Sequence, residues 1–537
     1  MALWSLKDQS FLIIDDFAEM RTLLRGMLTA LGAVDIVQAR DGDEAIEVLR
    51  GRSFEAVLCD YNLGDGQDGQ QVLEQARIEK LLPRSSLFIM VTAENTYEMV
   101  MGAVEFEPDA YLSKPVTKTV MQSRLRKLFE RQARISPVTC RIDSGQLAEA
   151  LEECDRLLAE NGTYQGDLTK LKTDLLMRLE RYEDAESTCA NLLESRPVPW
   201  AMLALGNARF ELGRWGRALG DFEALAAVSP SCVAAYDGMA KVQHALGDDA
   251  KAQEALSEGV RRSPKSLSRQ RMLGHVAAAN EDWKACEHAR RQAVRIGKHS
   301  SFKAAEDYTG LAEVLLRKDA KKEALKTVQA IRYVFRGDDI AEMQGAVSES
   351  GIQTAMNNAA AARSARDRAR EIAARSPAAI PSEVALELIA SSLAVGESEE
   401  VEGLVSELVR NHHDESELLA QLQAHYAGAG MAAKGAALIG AAKASAVDIN
   451  NRAVALAEHG DLDESCALFE QAVGSMPGNC VINLNAAQST VMWMRKHGVD
   501  HGRVQKVLGY LEVARTQPQY REKYRRVREM LVNVASA

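Results

Sequence analysis

Residues 55–69 read EAVLCDYNLGDGQDG, and this stretch decides the N-terminal fold. Ala56–Cys59 is a short continuous apolar run that stops on Asp60 and gives way to a glycine-rich loop. A run of that length, bounded by turn residues, is the pattern of a strand buried on both faces. Three other segments repeat it. Phe11–Ile14 stops on Asp15-Asp16, a second run ends on Thr92, and a third ends on Lys114-Pro115. Strands of a parallel sheet end along one edge, which is where open α/β folds place their ligands. The expectation is that Asp15, Asp16, Asp60, Thr92 and Lys114 meet there.

That set has a chemistry. A carboxylate can attack phosphorus and form an acyl phosphate, but it repels an anionic phosphoryl group unless a cation lies between them. Mg²⁺ takes oxygen ligands from one or two carboxylates plus phosphate, and Asp15 and Asp16 would supply them beside Asp60. Lys114 adds a fixed cation and Thr92 a hydroxyl donor. Phosphoryl transfer needs mainly positioning and charge neutralisation.

Four segments then resemble a family: FLIIDDFAEMRTLLRGMLTALG (11–32), EAVLCDYNLGDGQDG (55–69), IMVTAE (89–94) and AYLSKPV (110–116). Over residues 5–132 the chain resembles the CheY-like receiver domain of bacterial two-component response regulators. The resemblance implies a flavodoxin-like, doubly wound, five-stranded parallel sheet. It also implies that Asp60 is the phosphoacceptor, loaded by a sensor histidine kinase. Asp16 and Asp60 would hold Mg²⁺ through carboxylates, Asp15 mainly through a bound water, and Asn62 through its backbone carbonyl. Thr92 and Lys114 would bind the phosphoryl group, and Tyr111 would be the aromatic switch. Asn62 and Glu94 would line the path of the attacking water and leave it open, which implies a short-lived acyl phosphate. One departure stands out. The loop after Asp60 lacks the family's usual proline and is longer, and Gly64, Gly66 and Gly69 make it mobile by expectation.

The whole chain of 537 residues is too long for one domain. Aromatic residues are only 5% of it, which favours closely packed helices over β-rich cores. A net charge of −11 argues against a general nucleic-acid binder. The eight cysteines show no metal-ligand spacing, and most are expected to be small core residues of a reduced protein. His497 and His501 are four apart, but Gly498 between them weakens a helix, and a metal site is not expected. With no signal-peptide core and no membrane-length apolar run, a cytoplasmic location is expected.

Helical spacing over Thr117–Ile135, with Pro137 as a stop, predicts the last receiver helix. In receivers this helix belongs to a dimerising surface, so a homodimer is one candidate assembly. Beyond Val138 a repeat emerges. Ala185, Ala218, Ala252, Ala285 and Ala324 are separated by 33, 34, 33 and 39 residues, and Pro197, Pro230 and Pro264 follow the first three at twelve. This is the period of the tetratricopeptide (TPR) repeat, and the chain resembles TPR proteins over 140–335 and again over 446–480. The predicted architecture is a receiver at 5–132, TPR repeats at 138–335, divergent helical repeats at 336–440, and a C-terminal TPR with capping helices at 441–537. Ile352–Ala374 reads as one long helix, and the basic run 515–528 as a solvated capping helix rather than a nucleic-acid surface.

The function these readings support is a non-enzymatic response regulator whose helical scaffold binds a protein target. A phosphorylation-controlled inhibitor or adaptor of another signalling enzyme is the alternative, and a DNA-binding regulator a weaker one. No helix-turn-helix and no catalytic constellation follow residue 132.

Overall fold

The computed structural model describes residues 6–64, 66–93, 108–160, 162–375, 380–515 and 517–535. Five parallel strands open the chain: β1 (Ser10–Ile14), β2 (Asp35–Ala39), β3 (Ala56–Asp60), β4 (Leu87–Ala93) and β5 (Ala110–Lys114), in spatial order 2-1-3-4-5. Alternate residues of the continuous apolar runs face opposite layers. Leu12, Ile14, Val57, Cys59, Phe88 and Met90 pack under α2 (Gly42–Gly51) and α3 (Gly69–Ile78). Phe11, Ile13, Leu58, Ile89 and Val91 pack under α1 (Ala18–Ala30) and α4 (Lys118–Asp143). This is the doubly wound sheet expected from the sequence. Asp60 and Lys114 are the last residues of β3 and β5, and Asp15-Asp16 immediately follow β1.

Helix α4 departs from the expected stop at Pro137. It runs through the proline to Asp143. Proline has no N–H, so the carbonyl of Ala133 loses its helical donor, and the Ser136 hydroxyl donates to it instead at 3.3 Å. Burial supplies the other reason. Ile135, Val138 and Ile142, at helical spacing, share one apolar cluster with Ala150, Leu151 and Cys154 of the next helix. The last helix of the sheet domain is thus also the first of the helical region.

That region forms two compact units, 1–314 (sheet included) and 315–537. In the first, antiparallel helix pairs follow one another. Each pair turns through a residue in the left-handed region: Glu180, Gly213, Gly247 and Glu281, 33, 34 and 34 residues apart. The Pro199–Glu211/Trp215–Val228 pair shows why small residues recur. A Cβ at Gly206, or at Gly238 of the following helix, would lie 2.6 Å from the Phe222 ring, which is buried between them.

In the second unit the expected helix over 352–374 is two: Asp339–Ala355 and Ala359–Arg375. Asn357 adopts φ +59° between them, a conformation asparagine tolerates. The arginines of the second helix are engaged within the chain. Arg363, Arg366 and Arg370 meet Glu397, and Arg368 meets Glu349. The C-terminal helix Arg521–Ala535 exposes Arg526 but buries Tyr524, Val527 and Leu531. Among the described residues no helix is long and apolar enough to cross a membrane.

Candidate functional site

Carboxylate oxygens of Asp15, Asp16 and Asp60 lie within 4.8 Å of one another at the strand ends. Lys114 closes the group from β5, its Nζ 2.7 Å from Asp60 Oδ2 and 3.1 Å from Asp15 Oδ2. Asp15 is fully buried, and its Oδ1 accepts the Phe17 N–H at 2.9 Å. Burial raises the pKa of Asp60, opposed by the hydrogen bond and charge of Lys114. Burial likewise lowers Lys114, but the hydrogen bond and charge of Asp60, and then Asp15, outweigh it and hold the ammonium above its ordinary value. Three acids against one lysine leave surplus negative charge. Hard oxygen donors in that number suit Mg²⁺, so the residues present fit the ion.

The other expected residues fall around this centre. Thr92 is the penultimate residue of β4, 1% exposed, in register with Ser113 of β5. Asn62 is exposed in the loop after Asp60. Tyr111 is half-buried against the layer that includes Tyr61 and Leu63. Glu94 lies outside the described residues.

Two contributors were not legible beforehand. Arg21 on α1 donates to the Asp15 and Asp16 carbonyls at 2.7 and 3.2 Å, bracing the acidic turn. Gly69, expected to loosen its loop, instead opens α3 pressed against β3. A Cβ there would lie 2.1 Å from the Asp60 carbonyl oxygen, and its N–H donates to the Tyr61 carbonyl at 2.8 Å. The preceding Asp68 and Gln71 form a reciprocal capping box. Gly64 and Gly66 do take positive φ, so only part of the loop needs glycine's freedom. The signal available was Asp68-Gly69-Gln70-Gln71, a cap followed by an amide at the third helical position.

Residues 11–126 match the family model for the response regulator receiver domain. The chain is 32% identical over 120 residues to the chemotaxis protein CheY of Pseudomonas aeruginosa, spanning 95% of that protein but 22% of this one. It belongs to the response regulator receiver family. It is also 32% identical over 125 residues to CheY-3 of Vibrio cholerae, again over 95% of that protein and 23% of this chain. The helical region is similar to YrrB, a TPR protein with an unusual peptide-binding site, at 17% identity and a TM-score of 0.30, covering 35% of this chain and 92% of that one. The chain thus holds a receiver domain with an acidic pocket at its strand ends, followed by paired helices.

Proposed function

We propose that this protein is the response regulator of a two-component phosphorelay, with the receiver at 5–132 as input and the repeats from 138 onward as a protein-binding output. The observation that carries it is the direct contact of Lys114 with Asp60 inside the Asp15–Asp16–Asp60 cluster. In this reading an Asp60 carboxylate oxygen attacks the phosphorus of a kinase phosphohistidine. A P–O bond forms, the P–N bond breaks with its electron pair going to the ring nitrogen, and the imidazole leaves neutral, keeping the proton already on its other nitrogen. Lys114 neutralises charge on the transferred group, and the Thr92 hydroxyl donates to one of its oxygens. Mg²⁺ held by Asp16, Asp60 and the Asn62 carbonyl, with Asp15 acting through water, would supply the remaining positive charge. Tyr111 then follows Thr92 as the packing switch, which alters what the repeats bind.

The test is loading. Wild type should bind beryllofluoride, and accept phosphate from acetyl phosphate, only with Mg²⁺. Asp60→Asn should do neither, and persistent labelling of that variant at the wild-type rate would refute Asp60 as acceptor. Asn62 and Glu94 are proposed to leave the attacking water a path, giving a short-lived acyl phosphate.

A further inference from the structure

Between α3 of the receiver and the repeats lies a cleft of about 550 Å³, a size that suits a small molecule. Hydrogen bonds beside it hold its two walls at a fixed spacing. Gln71 Nε2 donates to the Ile296 carbonyl and Gln67 Nε2 to the His299 carbonyl, both at 3.1 Å. Lys265, Arg271 and Arg295 border the cleft from the repeats, and Asp68 and Glu74 border it from the receiver. Among the described residues, cations thus line one wall and carboxylates the other.

Each cation keeps a donor to spare. Arg271 clamps the buried Asp307 carboxylate through Nε and Nη2 at 2.8 and 2.7 Å, and Nη2 also donates to the Phe302 carbonyl at 2.6 Å. That clamp fixes the guanidinium and leaves Nη1 for a ligand. Lys265 Nζ lies 3.6 Å from Asp68 Oδ2, too long for a hydrogen bond, and 5.0 Å over the Tyr61 ring. Arg295 is exposed on the last turn of Trp283–Gly297 and stands in no ion pair among the described residues. Ser268, three residues before Arg271, shares its helix face and adds a hydroxyl. A tetrahedral phosphate has enough acceptor oxygens to use donors that converge from this many directions, whereas a planar carboxylate does not. The opposite wall asks for something else. Glu74 is half-buried on α3 and accepts Gln70 Nε2 at 3.4 Å. An ionised carboxylate only accepts, so it meets a ligand best through adjacent N–H donors. Guanine carries two side by side, on N1 and N2, whereas adenine sets its amino group beside an acceptor nitrogen.

We propose that this cleft binds a guanine nucleotide, with its phosphate on Lys265, Ser268, Arg271 and Arg295 and the donor edge of its base on Glu74. The site lies outside the acidic cluster and requires no phosphoryl group on Asp60. A ligand seated there touches receiver and repeats together, so it gives the chain a small-molecule input separate from the kinase.

Equilibrium dialysis of the full-length chain against GMP tests this, in buffer containing EDTA so that the acidic strand-end site plays no part. GMP should be retained saturably, one per chain. AMP and inorganic phosphate should each bind at least about tenfold more weakly, the lower range for losing a hydrogen bond to a charged group. Lys265→Gln and Arg295→Gln alter exposed side chains and should each weaken GMP by a similar factor, with the helical circular dichroism of wild type. Glu74→Gln should bring GMP down to the affinity of AMP and leave phosphate binding unchanged. No retention of GMP at millimolar concentration, or wild-type GMP affinity in both cation variants, would overturn the site. Inorganic phosphate binding as tightly as GMP would overturn the nucleotide as its ligand. Undiminished discrimination against AMP in Glu74→Gln would overturn the placement of the base.

Discussion

Gly69 and Phe222 show how single side chains set this structure. Alanine at 69 places a methyl group 2.1 Å from the Asp60 carbonyl oxygen, so α3 or the end of β3 must move. Gly69→Ala should cost about 1–3 kcal/mol by overpacking and weaken beryllofluoride binding, because the shifted carbonyl belongs to the acceptor itself. Unaltered affinity, measured by ¹⁹F titration, would mean that the site does not sense this contact. Phe222 is 1% exposed and fills the space left by two glycines, so Phe222→Ala should cost about 3–5 kcal/mol in denaturant unfolding. Asn62 is exposed beside the acceptor, and Asn62→Lys should slow decay of the phosphorylated receiver by shielding the phosphorus. Equal decay rates would remove this position from control of water access.

At the scale of elements, two joints are informative. Pro137 sits inside α4, where it removes one hydrogen bond that Ser136 replaces only through its hydroxyl. Pro137→Ala should therefore stabilise the chain, by about 1–2 kcal/mol, as helix propensity outweighs the entropy regained by the unfolded state. A lower melting temperature would show that the proline bends the helix to a needed angle. The second joint ties the turn after Glu402–Asn411 to the turn before Cys480–His497. Asn479 Oδ1 accepts the Ile482 N–H, so its Nδ2 is the donor to His413 Nδ1 at 2.8 Å and to the Arg410 carbonyl at 2.6 Å. That nitrogen must be unprotonated, and burial accordingly lowers the pKa of His413 below its ordinary 6.5, with Asp414 opposing and Lys443 assisting. In unfolded chains the ring takes its proton near 6.5, before the folded ring does, so between those two values the unfolded state binds more protons. Stability from this group is complete above 6.5 and declines as pH falls below it. The denaturation midpoint should drop on acidification through that window in wild type and less so in His413→Gln.

For the whole molecule, continuity of α4 matters most, because a fragment starting at 144 lacks Ile135, Val138 and Ile142 from the first helical core. Such a fragment should melt lower than one starting at 118, by circular dichroism, even though both omit the sheet. The edge residues Asp15, Asp16, Asp60, Thr92 and Lys114 were readable because apolar runs of strand length each ended on them, and parallel strands can only bring such ends together. The TPR period was readable for a related reason: small residues must recur wherever helices touch, as Gly206 and Gly238 do around Phe222. Local pattern failed where a local preference was overruled by burial or hidden by tolerance. Pro137 signals a stop, but apolar residues on both sides of it had a core to enter. Glu180 and Glu281 turn like Gly213 and Gly247 without any glycine to announce it. The grip of Gln67, Asp68 and Gln71 on residues some 200 positions away had no sequence signature, since polar side chains on a loop look solvated until folding brings unpaired helix-end carbonyls beside them. Thus the sequence alone determined the sheet, the acidic site and the repeat, all written in short-range periodicity, whereas the attachment of receiver to repeats was decided only by tertiary packing, which pairs groups that no spacing along the chain relates.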